Sequence, residues 1–290
     1  MEKPLVSVYI PTHKRPNLLK RALFSVVNQS YSNIEIIVSS DGKCSDTKDV
    51  IDSFRGIHKN IKFISSESNQ GACATRNSAI NVASGAYITG LDDDDFFSNT
   101  RIEEFVNNLT ESQQILFSNY VVVDDYGTSR TEFIKHVNIN KLLKYNAIGN
   151  QIFCPTKFIK KAGGFDTCLP AWQDYDLWIR LISIFGHATG INNKSYTTDK
   201  THPHERISNN ISSIESAYSI FQNKHHQYKS LRYQRWLALN YLKNVNVKSN
   251  PLIWIKAVST MRIDLVIMLL MRRYSPRLRH NIRKAMINRS

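Results

Sequence analysis

Short apolar runs alternate with helical spacing along the first 125 residues of the chain. Val6-Ser7-Val8-Tyr9-Ile10 predicts a buried strand stopped by Pro11. Leu18, Leu19, Ala22, Leu23, Val26 and Val27 then recur at the interval of a helix over 16–28. The alternation continues with a strand over 34–38, a helix capped by Asp46 and running to Phe54, a strand over 61–64, and a helix over 71–83 ended by Ser84-Gly85. A strand over 86–91, a helix over 101–109 and a strand over 115–123, turning at Asp124-Asp125-Tyr126-Gly127, complete the series. Parallel neighbours need a crossover, and a crossover helix covers the sheet, so this order predicts an α/β fold with a mainly parallel sheet flanked by helices. No internal repeat or low-complexity linker interrupts it.

Open sheets of this kind bind ligands at the carboxyl ends of their strands. Three polar clusters fall there: Pro11-Thr12-His13, Asp41-Gly42 and Asp92-Asp93-Asp94-Asp95. Four successive carboxylates repel one another unless a cation is near, and oxygen donors at a strand end suit Mg2+ or Mn2+, which often share coordination with phosphates. The acids lie between Ile88-Thr89-Gly90-Leu91 and Phe96-Phe97, two buried stretches, which favours a metal with a nucleotide diphosphate over a solvated acidic turn. The chain has no GxGxxG and no GxxxxGK[ST] loop, which excludes the dinucleotide fingerprint and the P-loop.

With 42% hydrophobic and 21% charged residues, the 290-residue chain can bury a sizeable core and is not disordered. Its four cysteines (Cys44, Cys73, Cys154, Cys168) form no CxxC pair, which excludes a disulfide scaffold and argues against structural zinc. The opening MEKPLVSVYIPTHKRP lacks a secretory leader's pattern, so the chain is expected in a reducing cytoplasm. The net charge of +14 is unevenly placed: residues 224–290 hold 15 Lys and Arg against one acid, Asp264, and the rest of the chain is balanced. Such a tail points to an anionic partner. Its apolar run, 265–271, is far short of the roughly 20 residues a spanning helix needs. Amphipathic helices lying on an anionic membrane surface fit better, with a solvated helical appendage as the plainer reading.

Four segments in order, VSVYIPTHKRPNLLKRALFSVVNQSYSNIEIIVSSDG (6–42), NQGACATRNSAI (69–80), GAYITGLDDDDFF (85–97) and GGFDTCLPAWQDYDLWIRL (163–181), resemble family 2 glycosyltransferases of the GT-A fold. The resemblance spans roughly residues 5–210. It implies an inverting enzyme, a GT-A (nucleotide-diphospho-sugar transferase) domain over 1–215 with a nucleotide-binding half (1–125) and an acceptor half (126–215), and a basic amphipathic helical tail over 216–290. Pro11 and Thr12 match the loop that holds the nucleotide, and Asp41 matches the acid that hydrogen-bonds uracil. The surroundings of Asp41 depart from the usual Asp-Asp-Gly-Ser, with Ser40 before it and Lys43-Cys44 after Gly42. Asn69, Gly71, Arg76 and Asn77 match the segment beside the nucleotide and its sugar, with Arg76 also a partner for the diphosphate or the acids. Asp92-Asp93-Asp94 matches the Asp-any-Asp motif, placing Asp92 and Asp93 at the nucleotide sugar and Asp94 on the metal; a one-residue slip would give Asp93 and Asp95.

Trp172-Gln173-Asp174-Tyr175-Asp176-Leu177-Trp178 resembles the family's Glu-Asp-Tyr-Asp-Leu-Trp segment, which makes Asp174 the general base despite Gln173 at the first position. On a helix starting near Gln173 the macrodipole would help keep Asp174 ionised. Asp176 reads as a helix cap or surface salt bridge, Asp166 as a capping or hinge acid, and Trp172 equally as an acceptor platform or a core residue. His202 is a candidate further metal ligand, which would favour Mn2+ over Mg2+. Arg206 is grouped with its loop, and His225-His226 read as solvated.

The implied reaction moves a hexose, glucose or galactose, from a UDP-sugar to a lipid-linked saccharide acceptor such as GlcNAc-diphospho-undecaprenol. The linkage would be β, 1→3, in O-antigen or related polysaccharide assembly at the cytoplasmic face of the inner membrane. The rival enzyme class, a nucleotidyltransferase, wants a basic Gly-rich loop after the first strand, where 11–16 has no glycine. The non-enzyme rival is a nucleic-acid-binding or anionic-surface protein using the tail; the tail carries no zinc-finger or RNA-binding signature, so no nucleic acid partner is expected.

Overall fold

The structure, a computed structural model, describes residues 3–111, 114–204, 210–228 and 230–244. The amino-terminal half alternates as expected: β1 (Val6–Thr12), α1 (Pro16–Val27), β2 (Ile34–Ser40), α2 (Ser45–Arg55), β3 (Ile61–Ser65), α3 (Ala72–Val82) and β4 (Tyr87–Gly90). A short β5 (Phe96–Phe97) and α4 (Arg101–Asn107) follow. Then come β6 (Leu116–Asp124), β7 (Gly127–Arg130), β8 (His136–Asn138), α5 (Ile139–Leu142), β9 (Phe153–Pro155) and α6 (Thr156–Lys161). The last described elements are α7 (Gln173–Phe185), β10 (His187–Asp199), α8 (Ile211–Lys224) and α9 (Leu231–Asn244).

One sheet runs β3-β2-β1-β4-β9-β6-β10-β5, with β7 and β8 added at β6 and β10. The long pairings β1–β2, β1–β4, β2–β3 and β6–β10 are parallel, and the three-residue β9 enters antiparallel between β4 and β6. Strand order reverses between β1 and β4, the kind of point where the ends of neighbouring loops part to leave a crevice.

Two cores flank the sheet because side chains alternate faces along each strand. Val6, Val8 and Ile10 meet Leu19 and Leu23 of α1, Ile51 of α2 and Ile102 of α4. Tyr9 points the other way, into a core with Ile80 of α3, Ile159 of α6, Leu177 and Trp178 of α7, Phe221 of α8 and Leu237 of α9. Residue 216, where the tail was expected to begin, therefore falls inside α8, and α8 and α9 are part of the body's packing. The basic remainder, 245–290, lies outside the described residues.

Two local expectations change. Pro11 does not stop β1, which continues to Thr12. Tyr9 O accepts from Leu91 N on the β4 side, and Pro11 faces that same side beyond the last β1–β4 pair, Tyr9 with Gly90, so no ladder partner waits for its missing N–H. Asp46 does not cap α2: Cys44 is the cap residue, and Asp46 lies in the first turn, where its charge still complements the helix N-terminus.

Candidate active site

The carboxyl ends of β1, β2 and β4, the start of α3 and the start of α7 enclose a cavity of about 770 Å³, of a size that holds a small-molecule ligand. Pro11, Thr12, Asp41, Asn69, Arg76, Asp92, Asp93, Asp94 and Asp174 all line it, so the acid cluster and the proposed base, far apart in sequence, open onto one space. Lys14 (φ 50°) and Trp172 (φ 59°) are the non-glycine residues with left-handed backbones among the described residues. Both line the cavity, where strain of about 1–3 kcal/mol per residue commonly collects at functional sites.

The four aspartates divide by partner. Asp93 is fully buried, accepts from Thr12 Oγ1 at 2.7 Å and pairs with Arg15. Burial raises its carboxyl to about 6 against the pull of Arg15 and Thr12. Asp95 accepts from Tyr196 Oη at 2.7 Å and from Asp199 N at 3.1 Å, which ties the cluster to β10. Asp92 pairs with Arg76 at 2.9 Å. Asp94 Oδ2 lies 3.0 Å from His202 Nε2 and 3.7 Å from Arg15. The repulsion expected within the run is thus met by arginines from β1's exit and from α3. Arg15 and Arg21, which also reaches Asp199 and the Asp94 carbonyl, were not singled out in the sequence, although both sit in the segment after β1.

Asp94 Oδ2 and His202 Nε2 are in direct hydrogen-bond contact, and among the described residues no group of three or more His, Cys, Asp or Glu side chains is gathered to hold a metal ion. Carboxylate oxygen with imidazole nitrogen is a donor set that Mn2+ accepts more readily than Mg2+. His204 lines the cavity beside His202, their rings 5.8 Å apart. Arg206 lies outside the described residues.

Asp174 sits in the first turn of α7, and no hydrogen bond or ion pair engages its carboxylate among the described residues. Burial raises its carboxyl to about 7, Arg76 pulling it down and Asp92 pushing it up. This reverses the expectation that the helix terminus keeps it low, because removal from water outweighs the dipole. Arg76 joins the two ends of the cavity: one guanidinium nitrogen meets Asp92 and another donates to Gln173 Oε1 at 3.0 Å.

Asp41 lines the cavity, but its carboxylate also holds the next loop, accepting from Gln70 N at 2.6 Å and Gly71 N at 3.0 Å. Each oxygen keeps a lone pair for a further donor. Asn77, expected beside the nucleotide, does not line this cavity. Its amide clamps the Gly164-Phe165 turn, accepting from Phe165 N at 2.8 Å and donating to Phe165 O at 2.7 Å. Gly164 has φ +64°, and a Cβ there would come 2.5 Å from Asn77 Oδ1, so the turn needs both residues as they are.

Trp172 lines the cavity and sets its ring edge-on to Tyr218 and Phe221 of α8. Asp176 and His225 differ from expectation. Asp176 is fully buried, bonded to Arg180, to Lys224 at 2.9 Å and to His225 Nε2 at 2.9 Å. His225 is buried with it, whereas His226 is exposed. Asp166 caps its own turn through Cys168 N and pairs with Lys224.

A sheet whose acid-bearing strand end faces a carboxylate across one cavity is the plan of a GT-A glycosyltransferase. Residues 7–162 match the Glycosyl transferase family 2 model, and the chain belongs to that family. It is 32% identical over 234 residues to the putative colanic acid biosynthesis glycosyl transferase WcaA of Escherichia coli K12, covering 77% of this chain and 81% of that protein. It is 30% identical over 185 residues to the Escherichia coli UDP-Glc:alpha-D-GlcNAc-diphosphoundecaprenol beta-1,3-glucosyltransferase WfaP, covering 62% of this chain and 70% of that one. The fold matches Staphylococcus aureus TarS (1–349) in complex with UDP-GlcNAc, with a TM-score of 0.62 at 16% identity over 91% of this chain and 90% of that one. Among the described residues no helix is long and apolar enough to cross a membrane.

Proposed function

We propose that this glycosyltransferase moves a hexose, glucose or galactose, from a UDP-sugar to a hydroxyl of a lipid-linked saccharide of the GlcNAc-diphospho-undecaprenol type. Inversion of an α-linked donor would give a β linkage, and the name of WfaP supports the 1→3 position. The observation that carries this reading is Asp174: a carboxylate with no hydrogen bond or ion pair among the described residues, raised to about 7, opening onto the same cavity as Asp92 and Asp94, the latter 3.0 Å from His202.

In this reading Asp41 accepts from the uracil edge at one end of the cavity, Pro11 and Thr12 flank the nucleoside, and Asp92 and Asp93 lie toward its ribose. Asp94 and His202 would hold Mn2+ or Mg2+, which when bound neutralises charge on the departing diphosphate. Arg76, lining the same space, adds a fixed positive charge near that diphosphate. Asp174 takes the acceptor hydroxyl's proton as that oxygen bonds the anomeric carbon, and the electron pair of the breaking C–O bond leaves with UDP. Trp172 offers the acceptor an indole beside the base. The name of WfaP supports the lipid-diphosphate acceptor. The basic tail supplies an anchor to the anionic inner leaflet, consistent with such an acceptor and with peripheral attachment at the cytoplasmic face.

The test is a panel of UDP-glucose, UDP-galactose, their N-acetyl forms and GDP-mannose, with a synthetic GlcNAc-diphospho-lipid and Mn2+, followed by linkage analysis of the product. Transfer from a UDP-hexose with β configuration is expected. Transfer from GDP-mannose alone, or an α product, would overturn the reading.

A further inference from the structure

Residues 146–151 turn across the carboxyl end of the sheet before β9 and connect the acid cluster with the helix that carries Asp174. Gly149 takes φ +94°, and a Cβ there would meet Tyr120 Cε1 at 2.8 Å. Its carbonyl accepts from Trp178 Nε1 of α7 at 2.8 Å and from Asn146 Nδ2 at 2.9 Å. With the backbone pinned in this way, the next side chain reaches the acids. Asn150 Nδ2 lies 3.4 Å from Asp92 Oδ2, 3.2 Å from Asp95 Oδ2 and 3.1 Å from Tyr196 Oη.

The two carboxylates depend on this amide unequally. Asp95 is already held by Tyr196 Oη and Asp199 N. Asp92 Oδ1 belongs to Arg76, and Asp92 Oδ2 has no partner but Asn150 among the described residues. An amide nitrogen facing two carboxylates also settles which way the side chain is turned, because only its N–H face is compatible with them. Asn150 Oδ1 then points away from the acids; no described residue donates to it, and Asn150 lines the cavity.

We propose that Asn150 is a positioning residue of the donor site, an inference that rests on reading the cavity as a nucleotide-sugar site. It holds the Asp92 carboxylate between itself and Arg76, so that the remaining lone pairs of Asp92 meet the ribose hydroxyls. Through Gly149 and Trp178 it ties that orientation to α7. A bond that orients a group contacting the nucleotide in ground and transition states alike acts on donor binding more than on turnover.

The experiment is calorimetric titration of the full-length protein with UDP in the presence of Mn2+, together with donor KM and kcat. N150A should weaken UDP binding about 10-fold and raise donor KM in step, with kcat reduced far less. N150D keeps the size of the side chain but sets a further carboxylate against Asp92 and Asp95, and should weaken binding about 100-fold. A role in packing alone would spare N150D relative to N150A, the reverse order. Y196F removes the hydroxyl shared by Asn150 and Asp95 without touching the cavity lining, should weaken binding about threefold, and reads the same network should N150A not fold. UDP affinity within twofold of wild type in folded N150A, or in Y196F should N150A not fold, would overturn the proposal. Failure of the wild-type chain to bind UDP at all would instead overturn the reading of the cavity.

Discussion

Asp176→Asn tests whether the acceptor side of the cavity is held by charge. Asp176 lies two residues beyond the proposed base, fully buried, with Arg180, Lys224 and His225 on its two oxygens. Burial alone would raise its carboxyl, but hydrogen bonds from His225, Arg180 and Lys224 more than reverse that and hold it at about 2, against an ordinary 3.8. That difference is worth about 2.5 kcal/mol at neutral pH. Asparagine costs more than protonation would, because it turns an NH2 toward groups that are themselves donors and leaves the half-buried Arg180 without its carboxylate partner. Breaking a buried pair in this way costs about 3–5 kcal/mol. For a chain of this size that lowers Tm by about 6–10 °C, measured by thermal unfolding of the full chain at pH 7. The pH dependence has a definite sign. A depressed carboxyl stabilises the fold above its unfolded pKa and loses that contribution as pH falls, so the gap between wild type and variant should close between about pH 5 and pH 2. Because Lys224 and His225 end α8, whose Ile214 lines the cavity and whose Tyr218 and Phe221 back Trp172, acceptor KM should rise as well. A Tm within about 2 °C of wild type at pH 7, or a gap that widens on acidification, would refute the reasoning.

Three further outcomes follow. Asp94→Ala should weaken Mn2+-dependent UDP binding by at least about 10-fold in a metal titration, and unchanged binding would remove Asp94 as the ligand. Since burial holds Asp174 at about 7 and a base must be ionised, kcat should rise with pH through about 7 and level off above it; a limb near 4 would show that the base ionises as an ordinary carboxylate and contradict the raised value. Deleting the residues after Lys248 should release the protein from anionic vesicles in a sedimentation assay, while a truncated chain that still pellets would move the contact elsewhere.

The first half of the fold is legible in the sequence because its strands are continuous apolar runs and its helices carry clear stripes; Val6 to Ile10 and Leu19 to Val26 announce themselves. The sheet's far side is not, since β5, β8 and β9 are two or three residues long and are strands only by virtue of their neighbours. The same distinction runs through the site. An acid run at a strand end and an Asp two residues after Trp172 are visible as chemistry. Which partner each member of the run takes is not, because that depends on Thr12, Arg15, Tyr196 and Asp199, up to 104 positions away. His225 lies in a polar stretch and its burial depends on a carboxylate 49 residues earlier, so nothing local distinguishes it from the exposed His226. Asn77 sits in a segment that resembles the nucleotide-binding motif, yet its amide is committed to a turn nearly ninety residues later. Asn150 has no sequence signal at all, being one amide in an irregular loop.

The most direct test of the account is Asp174→Asn assayed at pH 8 with UDP-sugar, Mn2+ and lipid-diphosphate acceptor, alongside UDP calorimetry. Loss of the carboxylate that receives the proton should cut kcat by about 10²–10⁴-fold while UDP affinity stays within about twofold of wild type. Near-normal transfer, or a loss of UDP binding equal to the loss of rate, would contradict the assignment of Asp174 as the base on which the glycosyl transfer depends.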